Sequence, residues 1–179
     1  MNDFINISYL KKGNAKQQAA YKTLKRIHIF DHLKSFDPIL VGTIPIAIDI
    51  ENSDLDIICC YENADLFVEE LRRNFDVFPD FVVSKKTIND VETILVRFTA
   101  SDFEIEVFGQ QVPSRQQPGY RHMIIENALL NQYGEKFRAE VIALKRKGYK
   151  TEPAFAKLLH LSGDPYLELL KYEAQINNR

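Results

Sequence analysis

The sequence of 179 residues has few of the features that mark several large classes of protein. It contains no tryptophan, and its two cysteines, Cys59 and Cys60, are adjacent, which provides neither a disulfide framework nor a Cys-x-x-Cys zinc motif. We therefore expect reduced thiols in a buried strand. The first 14 residues lack the pattern of a signal peptide, and no stretch approaches the roughly 20 apolar residues that span a bilayer. These absences predict a cytoplasmic protein without a membrane partner.

Neither sign of charge predominates, because the formal net charge is only −2. A long nucleic acid is therefore not expected as a partner. The chain is 45% hydrophobic and 27% charged, values that are ordinary for a globular protein with a core. Its length predicts a single domain, 1–179, with a core at about 14–110 and a C-terminal helical extension at about 120–179. The oligomeric state is not indicated.

The most informative motif is Asp54-Leu55-Asp56-Ile57, which begins twelve residues after the pair Gly42-Thr43. Side chains alternate between the two faces of a strand, so the two aspartates share one face while Leu55 and Ile57 face a core. Paired carboxylates bind divalent cations of the Mg²⁺ type, which prefer oxygen ligands. Backbone N–H groups in a Gly-Thr turn can contact a phosphate chain. The combination predicts metal-dependent phosphoryl chemistry.

The order of the elements predicts an α+β fold, with a mixed β-sheet core flanked by helices. Apolar residues at helical spacing predict one long helix over 14–36 and another helix over 63–75. Helices are also predicted over 120–134 and 136–147, and two short helices end the chain. Strands are predicted over 39–41, 55–61, 78–85, 92–100 and 103–109.

A third carboxylate is expected from the segment 103–108, in which apolar and acidic residues alternate. Glu104 and Glu106 share one face of the predicted strand. Taken alone, the pattern is typical of a half-exposed edge strand with solvated glutamates. Next to a strand that carries Asp-x-Asp, it favours a shared acidic edge of one sheet.

These motifs together resemble the polymerase-beta-type nucleotidyltransferase superfamily, in which an apolar residue, Gly and Gly or Ser precede Asp-apolar-Asp/Glu-apolar by about ten residues. Thr43 replaces the usual Ser and keeps the hydroxyl, and the third acid is Glu where many members have Asp. Further motifs resemble one bacterial nucleotidyltransferase-like subfamily that is still labelled a domain of unknown function. They are Gly-Thr-x-Pro-x-x-Ile from Gly42, Ser53-Asp54, Phe108-Gly109-Gln110, 120–123, 151–155 and 163–166.

The resemblance implies a nucleotidyltransferase that moves an NMP from an NTP to an unknown acceptor hydroxyl and releases pyrophosphate. The acceptor is expected to be a small molecule or a protein side chain. The implied cofactor is Mg²⁺ (or Mn²⁺), with Asp54, Asp56 and Glu106 as metal ligands and Glu104 as the alternative third acid. The implied nucleotide-binding residues are Gly42, Thr43, Ser53 and Arg121.

Two other functions stay open on the sequence alone. The first is a catalytically inactive nucleotide-binding or antitoxin-like interaction module, and the second is a metal-dependent phosphohydrolase that uses the same acids. The cationic run at 145–147 is interpreted as a solvated last helical turn that complements the helix dipole.

Overall fold

A computed structural model describes residues 4–88 and 90–174 of the chain. The fold is α+β, as predicted, with a mixed sheet and flanking helices. The strands are β1 (Ile39–Val41), β2 (Leu55–Cys60), β3 (Val82–Ile88), β4 (Val91–Ala100) and β5 (Phe103–Gln110). The helices are α1 (Ala15–Arg26), α2 (Ile29–His32), α3 (Ala64–Phe75), α4 (Pro118–Arg146), α5 (Thr151–Leu158) and α6 (Pro165–Leu170). Short 3₁₀ turns occupy Ile7–Lys12, Lys34–Phe36 and Ser114–Gln116.

The strand order in the sheet is β1-β2-β5-β4-β3, which places the two acidic strands side by side. β2 and β5 are parallel, and the other neighbouring pairs are antiparallel. A short hairpin turn at Ser101-Asp102 joins β4 to β5, with Ser101 in the left-handed region at φ 54°. A parallel pair needs a long crossover. Here α3, β3 and β4 supply it, so residues distant in sequence meet on adjacent strands.

Each face of the sheet packs against its own group of helices. Leu55 and Ile57 belong to a buried cluster with residues of α1 and α3, whereas Ile58 belongs to a second cluster with α4, α5 and α6. Because strand side chains alternate, Asp54 and Asp56 point toward the same side as Ile58. The acidic residues therefore lie on the face of the sheet that α4–α6 cover.

The predicted long helix over 14–36 is wrong in its second half. α1 ends at Arg26, and His28 adopts a left-handed conformation with φ 52° before α2 starts. The apolar spacing continues through the break, because Ile29 and Leu33 are both fully buried. A turn in this position keeps apolar residues on the core while it changes the chain direction, which spacing alone does not reveal.

The remaining elements match their predictions closely, with one delayed strand. The predicted strand at 78–85 begins only at Val82, because Asp80 has a left-handed backbone with φ 60°. α4 is interrupted at Gly134 (φ 77°), as the two helices predicted at 120–134 and 136–147 imply. Among residues 4–88 and 90–174, none of the helices combines the length and apolar character needed to cross a membrane.

Candidate active site

A cavity of about 860 Å³ lies between the acidic face of the sheet and helices α4 and α5. Its size is in the range of small-molecule and cofactor sites. Two groups of polar residues line it. On the sheet side are Gly42, Thr43, Ser53, Asp54, Asp56 and Glu106, and on the helix side are His122, Glu126, Lys145 and Glu152. We call Asp54, Asp56 and Glu106 the acidic edge, and the four helix-side residues the helical wall.

The acidic edge is assembled by the parallel pairing of β2 and β5. Asp56 and Glu106 are direct partners in this register, and Asp54 precedes β2 at its start. The pKa of Asp56 is raised from 3.8 to about 7, first by burial and then by the negative charges of Asp54 and Glu106. The carboxylates therefore repel one another in the absence of a cation.

Gly42 is required at its position by Asp56. The backbone there has φ +84°, and a Cβ atom would lie 2.4 Å from Asp56 Oδ2. A side chain would therefore be strained by the left-handed conformation and would collide with a carboxylate of the acidic edge. The resemblance implies that Gly42 is a nucleotide-binding residue. The contact with Asp56 is a reason that the motif alone did not reveal.

The two hydroxyls predicted to bind nucleotide contact each other. The Thr43 hydroxyl donates a hydrogen bond to Ser53 Oγ at 3.2 Å, and Ser53 Oγ also accepts from the Ile50 N–H at 2.9 Å. Both residues line the cavity beside Gly42. This arrangement places two hydroxyl groups at the entrance to β2.

Glu106 and Glu104 differ in their relation to the cavity. Glu106 lines it and accepts a hydrogen bond from Arg97 Nε at 2.6 Å, whereas Glu104 lies 3.7 Å from Arg97 Nε and is not among the lining residues. In the described part of the chain, no three His, Cys, Asp or Glu side chains are already grouped as a metal-binding set. In this structure the Glu106 carboxylate pairs with Arg97 and is not part of a metal-binding group among the described residues.

The donor set of the acidic edge nevertheless fits a divalent cation of the Mg²⁺ or Mn²⁺ type. All three side chains offer carboxylate oxygens, the ligands that these ions prefer. Burial first, and then the charges of Asp54 and Glu106, raise the pKa of Asp56, and a bound cation would favour the charged form of this carboxyl. Asp54, Asp56 and Glu106 are therefore the residues that could hold a metal.

The helical wall was not predicted from the sequence. His122 Nδ1 lies 3.3 Å from a Glu152 carboxylate oxygen, and His122 Nε2 lies 3.0 Å from the carbonyl oxygen of Tyr166. Glu126 is 3% exposed. It sits at helical spacing from the buried Met123 and Leu130, so a charged residue inside an apolar stripe was the signal available.

Lys145 corrects the prediction that the cationic run 145–147 is solvated. It is 7% exposed, and its ammonium donates to the Ile48 carbonyl oxygen at 3.0 Å. Burial lowers its pKa to about 8, although the charges of Glu126 and Asp54 oppose that shift. Lys145 therefore interacts electrostatically with carboxylates of both the helical wall and the acidic edge.

Arg121 is not brought into the cavity. Its guanidinium pairs with the Glu173 carboxylate through Nε at 3.0 Å and Nη2 at 2.6 Å. The neighbouring His122 lines the cavity instead, because adjacent helical side chains point in different directions. The structure thus assembles six of the predicted site residues, namely Gly42, Thr43, Ser53, Asp54, Asp56 and Glu106, and leaves Arg121 and Glu104 outside.

Comparison with solved structures shows a nucleotidyltransferase fold. The Cid1 poly(U) polymerase bound to Mg 3′-dATP matches with a TM-score of 0.54 at 10% identity, over 78% of this chain and 45% of that chain. A structure of Cid1, described there as an RNA terminal uridylyl transferase, matches with a TM-score of 0.51 at 11% identity, over 73% and 39% of the two chains. A third, a Cid1 mutant bound to MgATP, matches with a TM-score of 0.51 at 13% identity, over 90% and 49%.

The chain spans less than half the length of these three structures, and identities this low show the fold alone. A family model also matches most of the chain. The chain belongs to the family described as Domain of unknown function (DUF4269), whose profile matches residues 22–172. A search of curated protein sequences finds no match.

Proposed function

We propose that this protein is a metal-dependent nucleotidyltransferase that moves an NMP from an NTP to an acceptor hydroxyl and releases pyrophosphate. The observation that carries the proposal is the pairing of Asp56 with Glu106 on parallel neighbouring strands, beside Asp54 and the Gly42 turn. The shared fold with a nucleotide-bound polymerase supports it at a coarser level. The chain and the Cid1 structures differ in length, so no substrate is carried over from them.

The residues of the sheet side have distinct proposed roles. Asp54, Asp56 and Glu106 would hold Mg²⁺ or Mn²⁺, which when bound would neutralise charge on the phosphate chain. Gly42 keeps the turn in its left-handed conformation, and the Thr43 and Ser53 hydroxyls donate to phosphate oxygens. Arg121, which pairs with Glu173, is proposed to act through the position of α4 rather than by contact.

The acidic edge also provides a proton acceptor. In the transfer, the acceptor oxygen forms a bond to the α-phosphorus and the bond to the pyrophosphate oxygen breaks, so the hydroxyl proton must leave. Glu106 lies on the wall of the cavity and is proposed to take that proton after release from Arg97. Glu104 is more exposed and is proposed to keep only its weak pairing with Arg97.

A second candidate function is an inactive nucleotide-binding module. The observation that favours it is the close ion pair between Arg97 and Glu106, which neutralises the third carboxylate. In such a module, nucleotide would bind next to Gly42 without turnover. Pyrophosphate release that requires a divalent metal separates the two candidates, and a requirement for an acceptor separates a transferase from a phosphohydrolase.

The first test is thermal-shift binding of the four NTPs with Mg²⁺ or Mn²⁺. The wild type is compared with Asp56→Asn and with Asp102→Asn, which makes the same substitution at an exposed turn outside the cavity. A ligand that binds only the folded state raises the melting temperature by mass action. At saturating NTP we expect a shift of about 5 °C.

We expect this shift to require the metal, to persist in Asp102→Asn and to disappear in Asp56→Asn. Comparison of shifts, rather than of melting temperatures, removes any effect of the substitution on the stability of the free protein. No shift with any NTP at millimolar concentration would rule out both the transferase and the nucleotide-binding module.

A further inference from the structure

The cavity contains two buried oxygen atoms that have no hydrogen-bond partner among the described residues. One is Oε1 of Glu126, and the other is Oε1 of Gln117. Both residues line the cavity. Buried polar atoms are nearly always hydrogen-bonded, since an unpaired one has lost its contacts with water without gaining a partner. Two such atoms that line one cavity mark a place where a bound group could pair with both residues.

Both unpaired atoms are hydrogen-bond acceptors. The amide of Gln117 is oriented by its other end, because Nε2 donates to the carbonyl oxygens of Cys59 at 2.8 Å and of Val112 at 2.9 Å. A flipped amide would place its oxygen against these two carbonyl oxygens. Glu126 has only acceptor oxygens when it is ionised. Donor groups of a ligand would pair with the Gln117 oxygen and with an ionised Glu126.

The charge around Glu126 favours a cationic donor. Five carboxylates line the cavity (Asp54, Asp56, Glu106, Glu126 and Glu152), against two lysines (Lys145 and Lys150). Lys145 already donates to the Ile48 carbonyl oxygen and forms no ion pair within 4 Å of Glu126 among the described residues. Burial and the charge of Glu152 raise the pKa of Glu126, while the charge of Lys145 opposes that shift without a hydrogen bond between the two side chains among the described residues.

We propose that the helical wall is a binding site for a primary ammonium group of the acceptor substrate, with Glu126 as its main ligand. An ammonium donates up to three hydrogen bonds, and bonds between an ammonium and a carboxylate are stronger than neutral ones. Glu152 provides a second carboxylate beside it, oriented by His122. Gln117 Oε1 accepts from a further donor of the same ligand.

This inference rests on the proposed function only in naming the ligand as the acceptor. The amine serves as an anchor, and the hydroxyl that receives the NMP belongs to another part of the same molecule. The binding site itself depends on Glu126, Glu152 and Gln117, which lie outside the acidic edge. The two proposals can therefore fail separately.

The test is calorimetric titration with putrescine and spermidine, and with 1,4-butanediol as a neutral donor of similar length. The wild type is compared with Glu126→Gln and with Glu140→Gln, which removes the same charge from an exposed position on α4. We expect both amines to bind the wild type and Glu140→Gln at millimolar concentration or better. In Glu126→Gln we expect at least tenfold weaker binding, and no binding of the diol by any variant.

Three results would overturn the inference. They are absence of amine binding at 10 mM, equal binding by Glu126→Gln, and equal binding of the diol, which would indicate a site for a neutral hydroxyl or for water. Adding Mg²⁺ and ATP to the same samples separates the two proposals. An Mg·ATP response that persists in Glu126→Gln while amine binding is lost supports both, and amine binding without any NTP response would leave the amine site standing and sink the transferase.

Discussion

The two walls of the cavity solve the problem of buried charge in different ways. On the acidic edge, the three carboxylates line one side of the cavity, and Arg97 forms an ion pair with Glu106. On the helical wall, His122 lies beside Glu152, while Lys145 donates to a backbone carbonyl oxygen. The acidic edge offers carboxylate oxygens that suit a metal ion. In the helical wall, Glu126 Oε1 has no hydrogen-bond partner among the described residues.

The acidic edge and the helical wall are positioned by different parts of the fold. The acidic edge is built from backbone register, which fixes Asp56 against Glu106 with little freedom. The helical wall depends on side chains from α4 and α5 that cross a helix–helix contact. Phosphoryl transfer needs a fixed geometry, whereas recognition of an acceptor needs a surface that can differ among proteins with the same fold.

The largest expected effect distinguishes the two glutamates of β5. Glu106→Gln is expected to weaken Mg·NTP binding, or to slow turnover, by about a hundredfold, because it removes a charged ligand from the acidic edge. Glu104→Gln, two residues along the same strand face, is expected to change either quantity by less than about twofold. Titration of both variants with the NTP that binds the wild type measures the difference. Equal effects would erase the distinction between them.

The steric role of Gly42 gives the next largest effect. In Gly42→Ala, the new Cβ would collide with Asp56 Oδ2 in a left-handed backbone conformation. We expect a loss of about 1–3 kcal/mol in the free energy of unfolding, together with about tenfold weaker NTP binding. Gly148→Ala is the matched control, since Gly148 also has a left-handed φ of +91° but no atom within 4 Å of the added Cβ. If the control also weakens NTP binding, the contact with Asp56 is not the cause.

A smaller effect tests the electrostatics of the helical wall. Because the folded protein raises the pKa of Glu126 above its unfolded value, the folded state holds an extra proton, and stability falls as pH rises through this range. Gln does not titrate. Glu126→Gln should therefore gain about 1–2 kcal/mol of stability relative to the wild type between about pH 5 and pH 8.

Urea unfolding at these two pH values measures the gain. Glu140→Gln should show no such gain, because its carboxyl is exposed. If the gain in stability for Glu126→Gln does not change with pH, the Glu126 carboxyl does not have a raised pKa in the folded protein.

The smallest effect is expected at the ion pair between α4 and the C-terminal segment. Arg121→Ala removes a partly exposed pair with Glu173, which is worth at most about 1 kcal/mol. The affinity for NTP should stay within about twofold of the wild type, measured by the same titration. A tenfold loss would return Arg121 to the nucleotide site in which the sequence placed it.

Local patterns in the sequence were sufficient to locate the acidic edge. Alternation of apolar and acidic residues in 54–57 and 103–108 predicted which side chains share a face, and the structure brings those faces together through the parallel pairing of β2 and β5. The break at His28 could not be predicted, because apolar spacing continues across it. Which of Glu104 and Glu106 lines the cavity depends on the register of β2 and β5, which no local pattern contains.

The helical wall was missed for a different reason. Glu126, Lys145 and Glu152 are distant in sequence, and each is an ordinary surface residue by type. Their burial is created by the packing of α4 against α5 and against the loop that carries Ile48. Charge at a single helical position says little until the partner surface is known.

We propose that the acidic edge holds a divalent metal together with a nucleotide. An electron paramagnetic resonance titration of Mn²⁺, with and without each NTP, measures this directly in the wild type and in Asp56→Asn. We expect protein-bound Mn²⁺ in the wild type and tighter Mn²⁺ binding with at least one NTP. In Asp56→Asn we expect no protein-bound Mn²⁺, either with or without NTP. Wild-type protein that binds no Mn²⁺, or an Asp56→Asn variant that binds as much, would contradict it.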